Sequence, residues 1–112
     1  MATSHIVNVT TAADGTASVD TRIYGVIEAI AVRLGSLDTP DIAITDALSS
    51  ASILAVSAVA ADVRYMPRAA VCDATGTPIA DAYDKPACTG TLRVAVTGGG
   101  NKKTGAVIVL FA

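Results

Sequence analysis

Few residues in this 112-residue chain could do chemistry, and their spacing argues against most of it. Cys72 and Cys88 lie far apart, with no second cysteine pair and no neighbouring histidine, so neither a zinc site nor an activated thiol is expected. His5 stands near the N-terminus and reads as an exposed surface residue without a ligand or base role. Gly98-Gly99-Gly100-Asn101-Lys102-Lys103-Thr104 places glycines before Lys-Thr, as a phosphate-binding loop does. It lacks the first glycine of that motif and runs between two strands, so no helix N-terminus is available to hold an anion, and a flexible hairpin tip is expected instead. Asp38, Asp41 and Asp46 bracket Pro40 and a strand, which breaks any EF-hand spacing and leaves turn and cap roles. The expectation is a chain with no catalytic site, no cofactor and no metal.

The elements that would position these residues read as strands. Arg22–Leu34 is a long strand, Gly35–Pro40 a turn, and Asp41–Asp46 a second strand in which Ile42 and Ile44 alternate with small or polar neighbours. Along Arg22–Leu34 both parities are apolar, which calls for cover on two faces: a second sheet on one side and a neighbouring subunit on the other. His5–Thr10 reads as a first strand ended by the Asp14-Gly15 turn, and Thr16–Val19 as a short strand leading into the long one. Ala47–Ala61 fits a helix capped by Asp46 or a strand over Ser52–Ser57, with the strand preferred. Val63–Met66 is extended up to Pro67, and residues 68–90 read as a long loop. Thr91–Thr97 alternates clearly, and Ala106–Phe111 is apolar throughout, so it must be central or covered.

Valine, isoleucine and threonine together number 35, the 22 alanines are scattered among them rather than laid out at helical spacing, glutamate occurs only at position 28 and there is no tryptophan. That bias favours sheets, and the length suits one core. The fold expected is all-β: a single-domain β-sandwich, jelly-roll-like, with a long loop at about 68–90. The net charge is −2 and the basic residues are dispersed, so nucleic acid is not an expected partner. No apolar run approaches the roughly 18 residues that would span a bilayer, and Met1–His5 does not resemble a signal peptide. A cytosolic origin follows, and with it free thiols at Cys72 and Cys88; the alternative is a bridge closing the segment between them.

Tyr65-Met66-Pro67-Arg68 followed by Asp73-Ala74-Thr75-Gly76 resembles the head decoration, or cement, proteins of tailed bacteriophages. The opening Val7–Gly15, the run Arg22–Ile30, Ile42–Thr45, Ile53–Val56 and the ending Arg93–Gly105 fall in a matching order. The resemblance covers nearly the whole chain and is one of strand-and-turn pattern. It implies a β-sandwich that binds the outside of an icosahedral capsid as a homotrimer, with the major capsid protein as partner, on a virion assembled in the host cytoplasm. A tail or head–tail connector component is the alternative. Tyr65, Pro67 and Arg68 are the expected interface residues, with Tyr65 packed and Arg68 free to grip a neighbouring carboxylate. A mean hydropathy of +0.55 fits faces that neighbours bury.

Overall fold

The computed structural model of the chain describes residues 3–112. They form antiparallel strands and no helix: β1 (Thr3–Thr10), β2 (Ala17–Arg33), β3 (Asp41–Asp46), β4 (Ser52–Val56), β5 (Val63–Tyr65), β6 (Ala69–Cys72), β7 (Pro78–Asp84), β8 (Ala87–Thr97) and β9 (Thr104–Phe111). The main sheet runs β1-β9-β2-β8-β3-β4, with β5 also on β2. The first half of β2 pairs with β8, and its second half pairs with β9 and β5. One long strand thus belongs to two layers, β1-β9-β2-β5 and β2-β8-β3-β4, whose apolar faces close on a common core as a β-sandwich. The strand order does not by itself establish the jelly-roll-like connectivity expected from the sequence.

The change of layer is made by a β-bulge. Ile27 and Ala29 oppose the consecutive residues Phe111 and Leu110, so Glu28 is the extra residue. Before it the buried side chains are odd-numbered, Ile23 and Ile27; after it the large buried side chains are Ile30 and Val32, with the small Ala29 of the bulge itself also buried. Within the chain β2 is therefore covered on one face at a time, by the opposite layer, and its outer face, with Tyr24 and Val26, stays exposed. The apparent two-sided pattern is a one-sided pattern whose phase slips once, because an inserted residue turns the rest of the strand over.

Cross-strand rows fill the core. In one layer Val7, Val107, Val32 and Val63 line up, beside His5, Val109, Ile30 and Tyr65. In the other, Ala17, Val96, Ile42 and Val56 lie beside Val19, Val94, Ile44 and Leu54. Strand β9, apolar over Ala106–Phe111, sits between β1 and β2, which meets the requirement that such a strand be central.

Two segments differ from expectation. Residues 68–90 are not a loop: they hold the hairpin β6–β7 and the start of β8. Asp73 builds its tip, accepting hydrogen bonds from the amides of Thr75 and Thr77 and from the Thr75 hydroxyl. Ala47–Ala61 resolves into a turn followed by β4, as preferred, and Asp46 caps that turn rather than a helix.

The glycine-rich segment before β9 is also not a free tip. The Gly99 amide donates to the Gly15 carbonyl (3.0 Å), and the Thr11 amide donates to Lys103 O (2.8 Å). Buried Thr11 locks the junction, its hydroxyl donating to Gly100 O at 2.7 Å and accepting from the Lys103 amide at 2.8 Å. Thr11→Val keeps the shape and strands both partners. We expect it to cost about 2 kcal/mol, read as a lower urea midpoint with unchanged slope.

Candidate protein-interaction site

Several of the groups singled out for their chemistry make contacts that hold the fold. His5 is half-buried on β1, with its Nε2 2.8 Å from the Thr21 hydroxyl, which corrects the reading of an exposed residue. The inward parity of β1 forces this placement, since residues 5, 7 and 9 share one side. Asp41 accepts from the Ala58 amide and Asp46 from the Leu48 amide, the turn and cap roles expected of them. Asp20 and Arg93 meet through two hydrogen bonds across β2 and β8; the pairing holds the Asp20 carboxyl below its ordinary range. Cys72 and Cys88 are both free, the first exposed and the second buried, where desolvation raises its thiol pKa. Among the described residues, no three His, Cys, Asp or Glu side chains gather as a metal site would require.

What the surface offers is apolar. Among the described residues the hairpin β6–β7 pairs only with itself, and most of its side chains are exposed, including Ile79 (47 %) and Tyr83 (67 %). A two-stranded ribbon solvated on both faces is marginal in water, so this arm gains most from being covered. It projects from a body held by a salt bridge between Lys85 and Glu28 (3.2 Å) and by the Ile27 amide donating to Pro86 O (2.8 Å). The consequence is visible in the dimensions. The accessible surface is 6255 Å², several hundred Å² above the roughly 5,700 Å² expected for this mass. The radius of gyration is 14.3 Å, against about 13 Å for a compact chain of this length.

A second apolar feature lies on the outer face of the β2–β8 layer, where a groove of about 580 Å³ is bounded by Arg22, Tyr24, Leu48, Gly90 and Phe111. Tyr24 is 79 % and Leu48 70 % exposed. Gly90 makes the floor: a Cβ placed there would lie 3.7 Å from Leu48 and 4.0 Å from Tyr24, so its absence leaves a notch between two apolar walls. Asp46 sets this geometry from beneath by holding both Leu48 and Thr89. Sequence reading missed the groove because its parts come from four separated stretches.

The three residues singled out from the sequence sit at the root of the arm. Tyr65 is half-buried against the core, Pro67 is buried, and Arg68 is exposed with Nη1 donating to Pro67 O at 2.6 Å. Among the described residues no carboxylate of the chain engages Arg68. No protein-family model matches the chain, and no curated protein matches it.

Proposed function

We propose that this chain is a structural shell protein of a tailed bacteriophage, a decoration protein that binds the outside of an icosahedral capsid as a homotrimer and ties neighbouring major capsid subunits together. The observation that carries the reading is the projecting hairpin, whose exposed apolar side chains have no partner among the described residues. The strand-and-turn likeness to the decoration proteins points the same way. Such a protein acts by mass action: it binds the assembled lattice better than free subunits, so disassembly costs more in proportion to occupancy. Each copy needs to supply only a few kcal/mol, because many copies act on one lattice. Arg68, exposed beside the arm, is the cation available to a carboxylate of the capsid.

The test compares purified shells with and without the protein during heating, scored by genome release. Decorated shells are expected to release at a higher temperature, rising with occupancy. Equal release temperatures at full occupancy would overturn the stabilising role, and assemblies of six or twelve copies would move the assignment to a tail or connector ring.

A further inference from the structure

The arm carries an unpaired acidic residue and the groove an unpaired basic one, and among the described residues neither surface is covered. We infer that the β6–β7 arm of one copy docks in the Tyr24–Leu48–Gly90 groove of a second copy, with Asp81 of the arm facing Arg22 of the groove. This rests on the self-association in the function proposed above and names the surfaces that would carry it.

Asp81 lies between Ile79 and Tyr83 on β7, at a point where the pairing with β6 slips between Ala70 and Cys72. Its backbone is left-handed, with φ of 59°, an uncommon conformation for a residue with a side chain. The break in the ladder leaves Asp81 without a partner on β6, and its carboxylate is exposed with no hydrogen bond or ion pair among the described residues. Arg22 is in the same position on the other side: exposed at the groove's rim, between the Asp20–Arg93 pair and the apolar walls, with no acidic partner among the described residues. The apolar side chains flanking Asp81 answer the notch over Gly90, which accepts one of them between Tyr24 and Leu48.

Seven extended residues of β7 span roughly 20 Å, enough to cross from one body to the next. The exposed side chains of the arm, Ile79 and Tyr83 among them, are the apolar surface such a contact would bury. Arm and groove are different patches, so the contact is head-to-tail and closes into a ring when the rotation per copy divides a full turn. A trimer is one such closure.

The experiment is a charge swap read by light scattering across a dilution series, with circular dichroism confirming that each variant is folded. Asp81→Arg and Arg22→Glu are each expected to weaken association roughly tenfold or more, and the double variant to return within about threefold of the wild type. Folded single variants that associate like the wild type, or a double variant no better than the singles, would overturn the arm-to-groove contact while leaving the trimer reading intact. A wild-type chain that stays at 11 kDa at micromolar concentration would remove self-association itself.

Discussion

Deleting Glu28 alone is expected to prevent folding, whereas Glu28→Ala is expected to be nearly silent. The deletion removes the extra residue of the bulge, and whichever half of β2 keeps its register, the other half turns over. If the pairing with β8 is kept, Ile30 and Val32, both fully buried, are driven to the outer face. Each forfeits about 1.5–3 kcal/mol of burial, and the vacated core adds cavity costs. That loss is of the order of the whole stability of a domain this size, about 5–15 kcal/mol. Glu28→Ala keeps the backbone count and loses only a part-exposed salt bridge to Lys85, about 0.5 kcal/mol. Far-UV circular dichroism and urea melts separate the two. A folded deletion variant would mean that the sandwich tolerates either phase of β2 and that the bulge does not set the layer change.

That same bulge marks the limit of what could be read from the sequence. Where a strand buries one face with a constant phase, the alternation is plain: Asp41–Asp46 coincides with β3, and Leu92, Val94 and Val96 point inward as expected. Where the phase slips at Glu28, a one-sided strand imitates a two-sided one, because parity is counted along the chain and the bulge adds a residue that pairs with nothing. The arm was illegible for the opposite reason. Neither of its faces is buried by the chain, so no apolar alternation is required of Ala69–Cys72 or Pro78–Asp84, and turn residues dominate the signal. Of the interface, Arg68 at the arm's root was visible as an exposed cation beside a proline, but the groove depends on Gly90 standing between Tyr24 and Leu48. Those three meet only after β2 and β8 pair and Asp46 folds the turn that follows β3 over them.

Asp46 is therefore the side chain whose loss should reach furthest beyond its own position. It is almost fully buried at the end of β3, and its two oxygens accept hydrogen bonds from the Leu48 amide (3.1 Å), the Thr89 amide (3.2 Å) and the Thr89 hydroxyl (2.7 Å). The Thr89 hydroxyl is the main reason its pKa is held below the ordinary aspartate value, against the opposing effect of burial. A carboxyl with a depressed folded-state pKa stabilises the fold fully above its unfolded pKa of about 4, and that contribution is lost as the pH falls through the folded value. Asp14, Asp20 and Asp73 are shifted in the same direction, so the wild type is expected to lose thermal stability steadily below about pH 4. Asp46→Asn should start roughly 10 °C lower at pH 7, since an amide cannot accept on both sides at once, and should fall less steeply in acid because one linked carboxyl is gone. The same substitution frees Leu48 and Thr89, so self-association of the folded fraction should weaken along with stability. Melting curves from pH 2.5 to 7, paired with light scattering at pH 7, measure both. Parallel wild-type and variant slopes would show that Asp46 is not held as the anion by its partners, and unchanged association would uncouple the groove from the turn beneath it.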